Sequence, residues 1–222
     1  MFSFQSWRRR GAVLLAASLA VAALIPMSTL SAGAANERVK FPLVIANPSL
    51  VTCLAEYPND PNRPPTAEVT VERGELNDTL RLRLRHFKPE LNFDMFTVQR
   101  SRLDAEGKPV AGFTNFGLAW YQSDVHVEQD GDGDVTVKTI LLDQIFGFDP
   151  DVSLQPINTF HVGFWFNNPE DAKDCVGLQK TPFNGEHNAG PLAFISLPDA
   201  TTNLGPLCAN PDTSKTPVAC NP

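Results

Sequence analysis

The stretch Thr79-Leu80-Arg81-Leu82-Arg83-Leu84-Arg85 decides the fold. Leucine and arginine alternate without a slip, and a period of two marks a strand with one face in a core and the other in water. An α-helix would scatter both residue types around its circumference. Just upstream, Ala67-Glu68-Val69-Thr70-Val71-Glu72 alternates in the same way, with Val69 and Val71 on one side and Glu68, Thr70 and Glu72 on the other. Between the runs lies Arg73-Gly74-Glu75-Leu76-Asn77-Asp78, rich in turn formers, so the two strands read as a hairpin.

Working outward, further strands are expected at 39–46, 93–101, 113–121, 125–128, 135–142, 159–166 and 193–197, the first interrupted by Pro42. Residues 58–65 hold four prolines and form an extended connection. A helical pattern arises only briefly, around 141–146. The chain carries 19 Pro and 14 Gly, which disfavours long helices. Many short strands with frequent turn signals predict an all-β fold: a single antiparallel β-sandwich or jelly-roll-like domain. The expected organisation is a signal peptide at 1–34, an N-terminal strand and Pro-rich connection at 35–66, a β-sandwich core at 67–197 and a Pro-rich tail at 198–222.

The first 34 residues read as an address. Arg8, Arg9 and Arg10 form a basic start, Gly11 to Ile25 is an apolar stretch ended by Pro26, and Ala32-Gly33-Ala34 supplies the small residues a signal peptidase needs. The apolar stretch is short for a membrane span, although an uncleaved anchor is the rival reading. Its alanine richness has a bacterial character. Cleavage before Ala35 leaves 188 residues. It removes three arginines and no acid, so the net charge of −7 for all 222 residues falls to −10. That acidity excludes broad nucleic-acid binding, which needs a basic surface. No later segment reaches transmembrane length, so no membrane association is expected after cleavage.

The cysteine count agrees with export. Four cysteines (Cys53, Cys175, Cys208 and Cys220) behind a signal peptide suggest two disulfides. Three pairings are open. Closing the short loop between Cys208 and Cys220 is entropically easiest, which leaves Cys53 for Cys175. The spacings match no common zinc module.

Four features carry candidate chemistry. Arg81, Arg83 and Arg85 place three guanidinium groups on one face, about 6.6 Å apart. They suit sulfated or carboxylated polysaccharide, but Glu68 and Glu72 lie across the hairpin and could neutralise them instead. Asp130-Gly131-Asp132-Gly133-Asp134 spaces carboxylates like the start of a calcium loop. Val135 and Leu141 stand where such a loop needs Gly and Glu, so a hairpin tip competes with a weak calcium site. In Thr159-Phe160-His161-Val162-Gly163-Phe164-Trp165-Phe166, one face is aromatic core, and His161, Gly163 and Trp165 share the other. That second face is either a sugar-stacking platform or buried. Glu186 and His187, in a turn-rich loop, are candidates for acid/base or metal chemistry.

No G-x-S-x-G elbow or H-E-x-x-H cluster occurs, and no catalytic residue is assigned. The function expected is therefore a secreted or cell-surface, non-catalytic β protein with a binding or structural role. Its partner would be a polysaccharide, calcium or a surface protein, and calcium the only cofactor in view. Two rivals stand: a hydrolase built on Glu186 and His187, and a metal- or copper-handling sandwich using His126 and His161.

Overall fold

The computed structural model describes residues 38–74, 77–139, 157–180, 189–208, 211–216 and 218–220. The chain divides into two compact units, Met1–Gly33 and Ala34–Pro222, and all the described residues lie in the second. The expected signal segment, the helical pattern near 141–146 and the Glu186/His187 loop fall outside the described residues. Among the described residues, no helix is long and apolar enough to cross a membrane.

Eight strands carry the fold: β1 (Arg38–Ile45), β2 (Thr66–Glu72), β3 (Asp78–Arg85), β4 (Asn92–Val98), β5 (Ala119–His126), β6 (Gly133–Thr139), β7 (His161–Phe166) and β8 (Leu192–Ile195). They form one antiparallel sheet in the order β5-β4-β7-β8-β1-β2-β3-β6. β2 and β3 pair as the alternation requires, with Val69 opposite Leu82 and Val71 opposite Leu80.

The protein is thus mostly β, as expected, but the ladder is one continuous sheet rather than two separate ones. β1 is the reason. Its first six residues pair with β2, and Val44 and Ile45 pair with β8. One strand therefore belongs to both halves and turns the corner between them. Pro42 lies where β1 pairs with β2 alone, a place where a missing N–H is tolerated. At the far side, β5 runs through the turn at 127–132 directly into β6, joining the two edges of the sheet. The turn is fixed by Val127 N–H donating to Leu91 O, Glu128 N–H to Asp132 O and Phe87 N–H to Gly131 O. The result is a nearly barrel-shaped sheet.

Its interior is filled from both halves. Val69, Val71, Leu80, Leu82 and Leu84 meet Phe93, Met95, Val162, Phe164, Phe166 and Phe194 in one buried cluster. Phe164 stacks on Phe194 at 5.1 Å and tilts against Phe93 at 4.9 Å. Each such side chain contributes about 1.5–3 kcal/mol by leaving water. A second cluster lies on the other face of β4, β7 and β8, where Phe96, Val98, Trp165 and Ile195 are covered by Leu103 and Phe116. The covering residues belong to segment 99–118, which leaves β4 and returns, with Arg100 N–H donating to Phe116 O.

Two expected strands merge into one. The sequence reading separates 113–121 from 125–128 at Gln122-Ser123-Asp124, yet β5 runs through these residues. The register shifts between Met95 and Phe96, so a β-bulge absorbs the extra residue.

Both disulfides form as spacing suggests. Cys53–Cys175 joins the short helices α1 (Val51–Leu54) and α2 (Lys173–Val176), with a Cα–Cα distance of 6.2 Å. Cys208–Cys220 closes the tail at 5.6 Å, beside the two-residue pair β9 (Pro211–Asp212) and β10 (Ala219–Cys220). Earlier in the tail, Leu204 and Leu207 are buried, and Leu207 N–H donates to Phe160 O.

Candidate functional site

The arginine stripe lies on the outward face of β3, as the alternation demands. Register puts Glu68 opposite Arg83, Thr70 opposite Arg81 and Thr66 opposite Arg85. The neutralisation expected from Glu68 and Glu72 takes a different route, however. Glu68 pairs with Lys40 at 3.0 Å and Glu72 with Arg38 at 3.7 Å, both on β1. Arg83 meets Asp134 at 3.2 Å, and Arg85 meets Asp132 at 3.4 Å and Asp134 at 3.3 Å, on the β6 side. Arg81 sits between Thr70 on β2 and Thr136 on β6. Among the described residues it has no ion-pair partner.

Most of these side chains, Thr66, Glu72, Arg85 and Asp132 excepted, line an open groove of about 270 Å³ on the outer face of β1, β2, β3 and β6. Four cations (Arg38, Lys40, Arg81 and Arg83) border it against two acids, Glu68 and Asp134. The existing pairs are exposed, and such pairs contribute only about 0–1 kcal/mol. They can be exchanged for a ligand's carboxylates at little cost.

The acidic tip is a turn held by its own backbone and by the neighbouring strand β3. Asp130 accepts a hydrogen bond from Asp132 N–H at 3.1 Å, while Asp132 and Asp134 face Arg85 and Arg83. Gly131 has φ +80, and a Cβ there would lie 2.8 Å from Phe87 O, so glycine is required. Among the described residues, no three His, Cys, Asp or Glu side chains are placed to hold a metal ion.

The platform reading of β7 is overturned. Trp165 is 1 % exposed and His161 3 % exposed, so neither can stack on a sugar. Both faces of β7 are buried: Phe164 and Phe166 lie in the main core, and Trp165 lies beneath segment 99–118, edge-on to Phe96 at 5.3 Å and Phe116 at 5.2 Å. Among the described residues the exposed tryptophan is Trp120 on the sheet-edge strand β5, next to exposed Tyr121. The Tyr121 hydroxyl donates to Asp124 at 2.8 Å. Partial desolvation of the hydroxyl and that carboxylate push its pKa up to about 12.

The histidine metal site is overturned as well. His126 pairs across from Asn92 at one end of β4, and His161 across from Val98 at the other. Six residues of strand separate the two positions by about 20 Å. His126 contacts Asn92 at 2.9 Å and Glu90 at 3.9 Å. The His161 Nδ1 lies 3.1 Å from Ser196 O and equally near Ser196 Oγ. Burial lowers its pKa to about 4, so the ring is neutral.

At the end of the sheet beside His161 lies a cavity of about 420 Å³ between segments 99–118 and 198–205. Besides His161 it draws on Gln99, Arg100, Asn115 and Thr159, which the sequence reading did not single out. Gln99, Arg100 and Asn115 come from the one segment 99–118 and Thr159 from the start of the run before β7, with no shared motif, and the pattern points only to His161. No protein-family model, curated protein or solved structure matches the chain.

Proposed function

We propose that this is an exported, non-catalytic β protein that binds acidic polysaccharide along the outer groove of β1, β2, β3 and β6. The observation that carries the reading is Arg81. It is a guanidinium without an ion-pair partner among the described residues, set between two threonines in a groove where cations outnumber acids two to one. The surrounding protein is acidic, so this strip is the place where an extended polyanion meets favourable potential. Arginine suits the task because its planar fork engages carboxylates and sulfates in bidentate fashion.

Two disulfides and the N-terminal leader pattern support export to an oxidising compartment. The shared core supports a sandwich-like packing. The halves β1-β2-β3-β6 and β5-β4-β7-β8 face each other across one apolar cluster, the packing of a flattened, sandwich-like barrel.

The test is retention on immobilised polygalacturonate at low ionic strength. The wild-type protein is retained and released by moderate salt, while Arg81→Glu elutes near the void. Equal retention of the two proteins contradicts the reading.

A further inference from the structure

The cavity at the end of the sheet is built differently from the groove and carries an inference independent of it. Its volume of about 420 Å³ falls within the range of small-ligand sites, about 300–1,000 Å³. Val110, Phe113 and Ile157 give it an apolar wall, and Val110 and Ile157 remain 40 % exposed at its rim. The cavity is also lined by polar groups whose hydrogen-bonding capacity is unspent.

Asn115 donates from Nδ2 to Thr114 Oγ1 at 3.0 Å, while its Oδ1 is buried with no hydrogen-bond partner. A buried acceptor left in that state costs free energy, which is recovered when the Asn115 amide turns toward a donor held in the cavity. His161 adds a second acceptor. Its ring is neutral and gives its Nδ1 proton to the Ser196 carbonyl. That leaves Nε2 with a lone pair, and no hydrogen bond to it is made within the described residues. The ring is fixed from behind, because Ser196 Oγ also accepts Val162 N–H at 3.1 Å. Arg100 lines the cavity from the solvent side and has no ion-pair partner among the described residues.

One acid, Asp104, also lines the cavity, but its Oδ1 already accepts from the Glu106 and Lys108 N–H groups at 3.0 and 2.8 Å, so two acceptors, the Arg100 cation and an apolar wall define the complement. We propose that the cavity binds a small hydroxylated carboxylic acid of sugar-acid size. Its hydroxyls donate to Asn115 Oδ1 and His161 Nε2, its carboxylate meets Arg100, and its carbon skeleton lies against Phe113 and Ile157. No bond is made or broken; the site holds its ligand by these contacts alone.

The probes are D-glucuronate and D-glucose, titrated into the full chain and followed by amide and imidazole chemical shifts. Glucuronate should give saturable shifts at Asn115 and His161, with glucose at least about tenfold weaker, the worth of a charge-assisted hydrogen bond. Arg100→Gln should abolish the preference for the acid, and Asn115→Ala should weaken both sugars about tenfold. Both substitutions fall on side chains outside the main core, and the melting temperature of each variant verifies folding. Arg81→Glu should leave glucuronate binding intact, which separates this site from the groove. Absence of saturable shifts at Asn115 and His161 overturns the proposal. So does an acid preference that survives Arg100→Gln, or glucuronate binding lost in the folded Arg81→Glu variant.

Discussion

The two outer faces of the one sheet have opposite fates. Outside β1, β2, β3 and β6, alternate residues are charged, exposed and joined by ion pairs from strand to strand. Outside β4, β7 and β8, the equivalent positions hold Phe96, Val98, Trp165 and Ile195, sealed under a loop. Both halves share the same interior. An open charged face offers interchangeable contacts to an extended polymer, whereas a covered face becomes core and can enclose a cavity at its margin. Stability should therefore reside on the covered side, and salt-sensitive recognition on the open one.

Substitutions that set the faces against each other test this directly. The largest effect is expected from Trp165→Ala, which removes the centre of the second core and should cost about 3–5 kcal/mol in a denaturant titration. A loss under about 1 kcal/mol would mean that segment 99–118 does not seal the face.

Acid should act next. Folded His161 stays neutral down to a pKa of about 4, against 6.5 for the free side chain. Between those values the unfolded chain binds a proton that the folded chain does not. This contribution to stability is complete above pH 6.5 and declines as pH falls toward 4, by about 3 kcal/mol in all. In His161→Gln that decline should be missing, so the stability gap between the two proteins narrows on acidification. A gap independent of pH would contradict a neutral, buried ring. The smallest effect belongs to the open face: Arg83→Ala should cost less than about 1 kcal/mol, and less still at high salt. A multi-kcal/mol loss there would erase the contrast.

The same contrast explains what could be read in advance. Leu80, Leu82 and Leu84 against Arg81, Arg83 and Arg85 declare their faces because water covers one of them, and the register of β2 with β3 follows. β7 is ambiguous in the sequence because both of its faces are buried. His161, Gly163 and Trp165 then form a row that looks like a binding platform until Leu103 and Phe116, remote in the chain, are seen to cover it. Gly163 has its own reason: a Cβ there would lie 3.0 Å from Phe194 O on β8. The acids that meet Arg83 and Arg85 were misassigned for a similar reason. Local pairing rules find Glu68 across the hairpin, while β6 arrives on the other side of β3 from some fifty residues away, bringing Asp132 and Asp134. The cavity was illegible apart from His161, since Gln99, Arg100 and Asn115 acquire a common purpose only when segment 99–118 folds back on β4.

The measurement that bears most directly on the open face is an NMR titration of the full chain with polygalacturonate oligomers, read at the arginine Nε–Hε signals. Arg81 should shift first and furthest, Arg38 and Arg83 should follow, and all three should revert as salt is raised. Shifts absent from Arg81, or centred on exposed Trp120 and Tyr121 instead, would contradict binding in the groove.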